Sequence, residues 1–510
     1  MTSSVVHVWR LLRWGRTLAR HGALRGIERD PLTPAPVRRL VKLARFGARI
    51  PKLPAYADAF EALGPAAIKL GQALATRPDL VGEKAAAELF RLQDALPPAP
   101  FPAIRAAIEQ SLGKPIEAMF SSFDETAVGA ASIAQVHRAV TSEGKTVAVK
   151  VLRPGIEEEF ARAIETYEWA AAHAELMGGE IARLRPRLVI ATFRQWTARE
   201  LDLRREAASA SEMAENMAAV PGFIVPEIDW SRTARRVMTM EWIDGVKLAD
   251  RALLTEAGHD GKALGALLVK AFLRQAIADG FFHADLHQGN LFALPDGRIA
   301  AIDFGIMGRI DRRARVWLAE ILHGLITGNY GRVAEIHFEA GYVPPHHNVG
   351  EFTTALRAVG EPIRGLAVKD ISVGQMLDGL FGITRDFDMP TQPHLLLLQK
   401  TMVMVEGVAT TLDPDLNMWE TAGPFVQEWL RSELGPEAWL ADRLVDDVRT
   451  LASVPDLIRR IEAQFPAPGG APPPPPLREV QVIRISHSWR YGVVAALAAA
   501  AGAVAALLIH

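Results

Sequence analysis

A short polar run from His283 to Asn290, followed by Ile302-Asp303-Phe304-Gly305, constrains this chain more than any other feature. Within the run, Asn290 stands five positions after Asp285. This spacing allows one tight loop to carry a carboxylate that meets a nucleophile and an amide oxygen that holds a metal ion. Asp303 adds a second carboxylate, and Mg2+ prefers such oxygen ligands. The run predicts a site for Mg2+ and nucleotide phosphates, with Asp285 as the base and Asn290 and Asp303 as metal ligands.

The segment Thr146 to Lys150 is a short apolar run that ends in a lysine. In kinases, an interior strand of this pattern directs its lysine at the α- and β-phosphates of ATP. A lone lysine at a strand end is ordinarily solvated, but the position of Lys150 ahead of the polar run favours a catalytic role. Its acidic partner is expected in the helical segment that follows. The candidates are Glu200, Asp202 and Glu206, and we favour Glu200.

The order of predicted elements favours an α+β, two-lobed, protein-kinase-like fold. Strands are predicted at 146–150 and 236–240, with a long helical stretch from about Glu157 to Ala219 between them. Beyond Gly245 the pattern is almost entirely helical to about Gln464. Strands first and helices second are typical of an α+β architecture.

A hinge between the two lobes is predicted at Met240 to Gly245. This segment directly follows the second strand and precedes the helical part of the chain. The backbone of Glu241 and Ile243 is expected to hydrogen-bond adenine there.

The end of the chain has the composition of a tethered membrane anchor. Residues 466–476 are rich in proline, which favours a semi-extended linker. Residues 491–509 are uncharged and long enough to span about 30 Å of hydrocarbon. The segment is rich in alanine, so a buried helix is the alternative. We expect a C-terminal transmembrane helix.

The charge of the chain is unevenly distributed. Residues 1–52 contain twelve Arg or Lys and two acidic residues, although the net charge of the whole chain is -2. Basic ends and an acidic body favour contact with anionic lipid over nucleic acid. Val5, Val8, Trp9 and Leu12 have helical spacing, which predicts either an interfacial helix or a helix packed on the body. The chain has no cysteine, which excludes disulfides and a thiol nucleophile.

Six segments are predicted from these shifts in pattern. They are a basic segment (1–52), a helical extension (53–125), a kinase-like N-lobe (126–245), a helical C-lobe with the catalytic loop (246–465), a proline-rich linker (466–477) and a membrane anchor (478–510).

Four motifs in order resemble those of the UbiB family of atypical kinases, which is associated with ubiquinone biosynthesis. They are Lys69-Leu70-Gly71-Gln72, the alanine-rich stretch Gly129 to His137, Glu200-Leu201-Asp202 and the polar run from His283. The resemblance covers most of residues 60–310. It implies ATP and Mg2+ as cofactors, and a helical extension carrying Lys69 that folds over the active site.

The resemblance also assigns further contacts and partners. It implies that nucleotide contacts Val128, Gly129, Ala130, Ala131, Ser132, Ile133, Ala134, Gln135 and Val136, with Lys150, Asp285, Glu200 and Lys69 as the catalytic set. The expected partners are ATP, membrane lipid, a prenylated quinone precursor and other ubiquinone-biosynthesis proteins, with no nucleic acid. The expected location is a bacterial-type inner membrane, with one anchor helix and a cytoplasmic catalytic domain.

Some residues depart from ordinary protein kinases. Alanines replace the flexible glycines of a phosphate-binding loop, and His287 stands where many kinases have a lysine. No Ser, Thr or Tyr occurs from Ile306 to Ile326, and there is no Ala-Pro-Glu motif. Gln288 and Gly129 depart from the UbiB pattern itself, as does a single spanning segment in place of two.

The sequence therefore predicts an ATP-dependent, membrane-anchored kinase-like enzyme that hydrolyses ATP or phosphorylates a small molecule. A protein kinase is the alternative enzyme. The alternative from another class is a nucleotide-binding scaffold or chaperone that presents prenylated quinone precursors.

Overall fold

The computed structural model describes residues 4–24, 41–42, 44, 54–75, 81, 83–89, 91–92, 96–176, 185–364, 382–383, 386–389, 393–416 and 418–434. Within them the chain forms two compact units. The first contains the described residues up to Ala207 together with Ile228–Trp242, and the second contains Ala208–Glu227 and the described residues from Ile243 onward. The boundary after Trp242 falls inside the predicted hinge.

The first unit contains an antiparallel sheet. Its strands are β1 (Phe120–Phe123), β2 (Gly129–Ala130), β3 (Ala134–Thr141), β4 (Thr146–Leu152) and β6 (Val237–Glu241). Their order is β1-β3-β4-β6, and β2 pairs with β3. On β4, Val147, Val149 and Val151 are buried against Ile104 and Ile108, because alternate residues of a strand face the same side. This core positions the middle of β4, where Lys150 lies.

Helices form the rest of the first unit. They are α1 (Ser4–Arg20), α2 (Tyr56–Leu63), α3 (Pro65–Ala75), α4 (Glu83–Leu89), α5 (Phe101–Leu112), α6 (Ile116–Met119), α7 (Ile156–Leu176), α8 (Pro186–Glu200) and the first residues of α9 (Leu203–Met217), with a 3-10 turn at Trp230–Arg232. Among its described residues, the predicted stretch from Glu157 to Ala219 is confirmed as mainly helical, and these residues form the separate helices α7, α8 and α9. Leu201 and Asp202 interrupt the chain between α8 and α9.

Helix α1 packs one face on the unit and exposes another. Leu11 is buried and contacts Ala170 of α7. The helix therefore packs on the unit through Leu11, which is not part of the predicted apolar stripe, and the alternative in which Val5, Trp9 and Leu12 pack on the body was wrong. Three large apolar side chains stay outside at 70%, 62% and 47% exposure, namely Val5, Trp9 and Leu12. The lipid-facing interpretation stays a prediction for that second face.

The second unit combines short strands with helices. The strands are β5 (Phe223–Ile224), β7 (Val246–Lys247), β8 (Phe281–His283), β9 (Leu291–Ala293), β10 (Ile299–Ala301) and β11 (Met307–Arg309). They form a sheet of order β5-β10-β9-β7 and a separate β8-β11 pair. The helices are the end of α9, α10 (Arg251–Glu256), α11 (Gly261–Leu273), α12 (Arg312–Thr327), α13 (Tyr330–Glu339), α14 (Val349–Arg364), α15 (Pro393–Leu412) and α16 (Met418–Leu434).

The prediction of an almost purely helical chain beyond Gly245 was wrong at the five strands β7 to β11, whereas α10 and α11 between β7 and β8 agree with it. The strands there contain two or three residues each. Segments so short show no measurable alternation of polar and apolar residues, which is the pattern that identifies a strand in a sequence.

A π-helix joins α11 to the strand before the polar run. It covers Arg274–Asp279 and continues directly from α11. Gly280 then adopts a left-handed φ of 68°, which glycine accommodates without a Cβ clash. From within the π-helix, Gln275 Oε1 accepts a hydrogen bond from His283 N at 3.1 Å. The π-helix therefore supports the start of the catalytic loop through Gln275.

Mixed helix and sheet content is confirmed. Among the described helices, none has both the length and the apolar character that crossing a bilayer requires. The predicted linker at 466–477 and anchor at 478–510 lie outside the described residues.

Candidate active site

Lys150 of the first unit is held in a short ion pair. On β4 it lies between Val136 of β3 and Met238 of β6. Its Nζ is 2.6 Å from Glu206 Oε1, and the two side chains are 13% and 9% exposed. A charge-assisted hydrogen bond of this length is among the stronger polar contacts in proteins. Glu206, one of the three candidate acidic partners, thus forms this pair, and the favoured candidate, Glu200, pairs with Lys69.

Lys69 of α3 forms an ion pair with Glu200, the residue that the sequence favoured as the partner of Lys150. Its Nζ is 3.5 Å from Glu200 Oε1, and both side chains are 9% exposed. Helix α3 is packed closely at Gly71, where a Cβ would lie 2.5 Å from Leu92 and 2.8 Å from Phe60. The glycine two positions after Lys69 therefore allows the close packing that positions this lysine.

The interruption between α8 and α9 separates the two lysine partners. Glu200 ends α8, and Glu206 lies in the first turn of α9. Between them, Asp202 bonds Arg204 at 2.7 Å, and this contact lowers the pKa of the Asp202 carboxyl below its ordinary value. One short segment therefore supplies Glu200 to Lys69 and Glu206 to Lys150. Helical spacing does not hold across the interruption, which explains why it could not rank the candidates.

The alanine-rich segment from Val128 to Val136 forms the hairpin of β2 and β3. Gly129 pairs with Val136, and Ala131 N donates a hydrogen bond to Ala134 O at 2.8 Å across the tip. Gly129 does not have a positive φ, and an added Cβ would meet nothing within 4 Å. The glycine at this position is therefore not required by the backbone, and the Ala131 amide is engaged within the hairpin.

Arg153 fastens this hairpin tip to the rest of the unit. Its Nε donates to Ala131 O at 2.8 Å, and its backbone N donates to Ile133 O at 2.9 Å. Ser132 is fully buried in the tip, and Gln135 Oε1 accepts from Ala99 N at 2.7 Å. Unlike a glycine-rich loop, the hairpin is held by side chains on both sides. Its contact with nucleotide stays a prediction.

The predicted hinge has no regular secondary structure from Trp242 to Asp244. Glu241 ends β6 in the first unit, and Ile243 is the first residue of the second unit. At Gly245, a Cβ would lie 2.6 Å from the carbonyl oxygen of Ala293, so only glycine fits. The adenine contacts of Glu241 and Ile243 stay predictions.

Asp285 lies in a tight turn of the second unit. Its carbonyl oxygen accepts hydrogen bonds from His287 N at 2.8 Å and from Asn290 Nδ2 at 3.3 Å. Lys400 Nζ is 3.6 Å from its Oδ1, and His287 Nε2 is 3.8 Å from its Oδ2. The carboxylate is 29% exposed. Asp285, the predicted base, is thus accessible to solvent and lies near the Lys400 ammonium group and the His287 ring.

His287 is oriented by the turn that carries it. Its Nδ1 accepts a hydrogen bond from Gly289 N at 3.0 Å, which assigns the proton of the neutral ring to Nε2. A Cβ on Gly289 would lie 2.8 Å from the ring, so glycine allows the ring to fold over the turn. The protonated nitrogen is the one nearer Asp285.

Lys400 is a site residue that the sequence interpretation missed. It lies on α15, 115 positions after Asp285. A lysine in a helix is usually a surface residue, so its own neighbours in sequence give no signal. The available signal was indirect: His287 stands where many kinases have a lysine, so the loop itself carries no lysine beside Asp285.

Asn290 and Asp303 are brought together by neighbouring strands. Ile302 N donates to Asn290 O at 3.1 Å, next to Asp303 in the chain. The Asn290 amide nitrogen bonds Asp285 O, which leaves its Oδ1 as the ligand atom, and Asp303 Oδ1 accepts from Gly305 N at 3.0 Å. A carboxylate and an amide oxygen are hard ligands of the type Mg2+ prefers, so the donor set fits this ion.

His283 is a buried residue that supports the loop through the backbone of the loop. It is 1% exposed, and its Nδ1 accepts a hydrogen bond from Asp285 N at 3.1 Å. Burial lowers the pKa of the His283 imidazole, while the charges of Asp303 and Asp285 act in the opposite direction. The ring is therefore a neutral structural support for Asp285.

The chain after Gly305 enters regular structure at once. Strand β11 begins at Met307 and pairs with β8. Helix α12 follows at Arg312, with Asp311 accepting from Ala314 N at 3.0 Å as its N-cap. The segment between the metal-ligand motif and α12 is therefore short and contains no long loop.

Comparison with known proteins agrees with this geometry. The chain matches the ABC1 atypical kinase-like domain over residues 91–337 and the UbiB helical domain over residues 356–417. The second match includes Lys400, so the helical domain contributes a side chain beside Asp285.

Individual relatives extend these matches. A Marinobacter nauticus protein named Probable protein kinase UbiB is 38% identical over 457 residues, which cover 88% of this chain and 84% of the relative. A solved chain from Mycobacterium tuberculosis, described as a complex with erythromycin, is 26% identical with a TM-score of 0.48 and covers 71% of this chain and 92% of that one. From the two domain matches and the Marinobacter relative, this chain belongs to the UbiB family of ABC1-type atypical kinases.

Proposed function

We propose that this chain is an ATP-dependent, membrane-anchored enzyme that hydrolyses ATP or phosphorylates a small molecule in support of ubiquinone biosynthesis. The ion pair of Lys150 with Glu206 at 2.6 Å carries the proposal. In protein kinases a Lys–Glu pair of this kind must be in place for phosphoryl transfer. The name of the Marinobacter relative, Probable protein kinase UbiB, supports phosphoryl transfer from ATP but not the choice of acceptor.

Each polar residue has a role in this proposal. Lys150 binds the α- and β-phosphates, and Glu206 keeps its ammonium group in position. Asp285 accepts the proton of the attacking water or substrate hydroxyl. Asn290 and Asp303 hold Mg2+, which neutralises phosphate charge when bound.

Lys400 supplies the positive charge that the catalytic loop lacks. It lies 3.6 Å from Asp285 Oδ1, within reach of a group that meets this carboxylate. A fixed ammonium group stabilises the transition state of phosphoryl transfer, where negative charge develops, more than it stabilises the ground state. The helical domain thereby takes part in the reaction and is more than a structural support.

The short segment after Gly305 favours water or a small molecule over a protein as the phosphate acceptor. Protein kinases order their activation loop by phosphorylation. Here β11 and α12 follow with only Ile310 and Asp311 between them, and no hydroxyl side chain occurs from Ile306 to Ile326. A pure scaffold role is disfavoured because Lys150, Asp285, Asn290 and Asp303 all remain.

Attachment to an inner membrane is part of the proposal. The apolar predicted anchor, the basic N-terminal segment and the exposed Trp9 of α1 support it. A catalytic domain held at the membrane surface has direct access to a prenylated quinone precursor, whose tail partitions into lipid.

The test is steady-state ATP hydrolysis by the full-length protein. Turnover is measured with and without anionic vesicles and with and without a phenol that mimics the head group of a quinone precursor. We expect Mg2+-dependent hydrolysis that rises when vesicles and phenol are both present.

Asp285→Asn is the matched control, since it keeps the size of the side chain and removes the base. Equal turnover by this variant and the unaltered protein would contradict the proposed site. Transfer of labelled phosphate to added proteins without hydrolysis or small-molecule product would instead support a protein kinase.

A further inference from the structure

A cluster of three metal-ligand side chains lies outside the site described above. His346, His347 and Asp388 each place one ligand atom within 4.8 Å of the other two. The His347 Nε2 and Asp388 Oδ2 atoms are 3.6 Å apart. This is longer than a hydrogen bond. It is close to the roughly 3.4 Å between ligand atoms of a tetrahedral zinc site with bonds of about 2.0–2.1 Å.

The cluster lies beside packed parts of the second unit. The cluster borders the apolar core formed by α13, α14 and nearby residues, in which Val343 is buried and against which Phe387 packs. The His347 ring lies 5.2 Å from the ring of Phe387. Asn348, the next residue, accepts a hydrogen bond from Gly350 N at 2.7 Å at the start of α14. Ligands whose neighbours are anchored in this way need little rearrangement to bind an ion.

One nitrogen of the cluster has unmet hydrogen-bonding capacity. Within the part of the chain that the structure describes, the buried Nε2 of His347 has no hydrogen-bond partner. A buried polar atom without a partner is costly, and a bound ion removes that cost. His346 and Asp388 are exposed, which leaves an entry path from solvent.

An ion pair explains less of this arrangement than a metal ion does. A charged His347 would pair with Asp388 alone. The ring of His346, 4.2 Å from that of His347, would then add a second imidazole with no part in the pair. A metal ion uses all three side chains and leaves a fourth position for water.

We propose that His346, His347 and Asp388 bind a divalent transition-metal ion, with Zn2+ as the best match. Two imidazoles and one carboxylate suit Zn2+, whereas Mg2+ and Ca2+ require more oxygen ligands than the cluster offers. The ion connects the turn before α14 to Asp388, 41 positions later, so it acts as a clip within the helical part of the second unit.

The proposal is tested by titrating Zn2+ into the full-length protein after removal of any polyhistidine tag, with a chromophoric chelator as competitor. We expect one equivalent of Zn2+ to bind and to raise the melting temperature. His346→Ala and Asp388→Asn should each weaken binding by about tenfold or more, since even supporting residues of metal sites cost about that much.

Two controls separate this site from others. Asn tolerates the left-handed φ of 49° at Asp388, so Asp388→Asn is expected to fold and to melt without Zn2+ close to the unaltered protein. His259→Ala, which removes a histidine outside the cluster, should bind Zn2+ normally. Absence of Zn2+ binding, or binding that His346→Ala and Asp388→Asn both leave intact, would overturn the proposal.

Discussion

Lys400 Nζ lies 3.6 Å from Oδ1 of Asp285, although Lys400 comes 115 positions later in the chain. The pair joins the predicted catalytic base to a helix of the UbiB helical domain. In the proposed reaction, this lysine supplies the positive charge that the loop lacks at His287, and it does so from a distant part of the sequence.

Removal of this charge should slow the reaction more than it weakens binding. We expect Lys400→Met to lower the kcat of ATP turnover by about tenfold or more, because the lysine acts on charge that develops in the transition state. The KM for ATP should change little. Lys400→Arg keeps the charge and should recover part of the loss. A purely structural role would be indicated if Arg and Met were equally damaging and both lowered the melting temperature.

Asp303→Asn should abolish metal-dependent nucleotide binding while the protein stays folded. The substitution preserves the size of the side chain but removes the carboxylate that Mg2+ needs beside Asn290. Calorimetric titration with Mg-ATP measures the effect, and circular dichroism checks the fold. Unchanged affinity would refute the assignment of Asp303 as a metal ligand.

Lys150 and Lys69 should have different effects because they pair with different carboxylates. We expect Lys150→Ala to remove ATP turnover. Lys69→Ala should leave nucleotide bound and alter which acceptor is phosphorylated, including transfer onto the protein itself. A radiolabel assay that counts free phosphate and labelled protein distinguishes the two results. If Lys69→Ala lost nucleotide binding as fully as Lys150→Ala, Lys69 would be a direct ATP ligand.

The partners of these lysines provide matched controls for the same assay. Glu206→Gln should resemble Lys150→Ala, and Glu200→Gln should resemble Lys69→Ala. Breaking one side of a largely buried ion pair costs about 3–5 kcal/mol, so melting temperatures are needed for all four proteins. If both Gln variants gave the same products, the two ion pairs would not have separate functions.

The free energy of unfolding should fall as the pH decreases from about 7 to about 5. His137 is buried and its Nδ1 donates to Asp124 O at 2.8 Å. Its Nε2 accepts from Gln135 Nε2 at 2.9 Å, because the oxygen of Gln135 is used by Ala99 N. A second proton on the ring, at Nε2, would point at the N–H group of Gln135. Burial lowers the pKa of His137 from the ordinary 6.5.

The unfolded chain therefore takes up a proton near pH 6.5 that the folded chain does not accept until lower pH, and stability is lost as the pH falls through this range. Urea unfolding at several pH values measures the slope. His137→Gln cannot take up this proton and should show a shallower slope. An identical slope in both proteins would exclude His137 as a source of the pH dependence.

The predicted anchor at 478–510 and the basic N-terminal segment should together attach the protein to membranes more firmly than either does alone. We expect deletion of residues 478–510 to release much of the protein from membranes, and high salt to release the remainder, since basic residues bind anionic lipid electrostatically. Flotation on vesicles with and without anionic lipid measures both effects. Trp9→Ser in the truncated protein tests the exposed face of α1. Flotation of the truncated protein in high salt would count against the anchor.

The parts of the site that were predictable are those whose spacing is local. Asp285 and Asn290 are five residues apart and meet through one turn, so the pattern of residues was sufficient. The choice between Glu200 and Glu206 depended on the interruption at Leu201, which helical periodicity does not reveal.

Long-range contacts were beyond the sequence patterns. Lys400 and the histidines at 346 and 347 meet their partners through contacts between segments that are far apart in the sequence. The short strands of the second unit were missed for a different reason, since two or three residues contain too little pattern to identify.

The π-helix at Arg274–Asp279 makes the length of this segment as important as its composition. Loss of one residue would let the chain continue as an ordinary α-helix. The same deletion would rotate everything before it by about 100° and shift it by about 1.5 Å relative to the strand that follows. Gln275 would then no longer meet the backbone of His283. A deletion scan of this helix should therefore be far less forgiving than a substitution scan of the same positions.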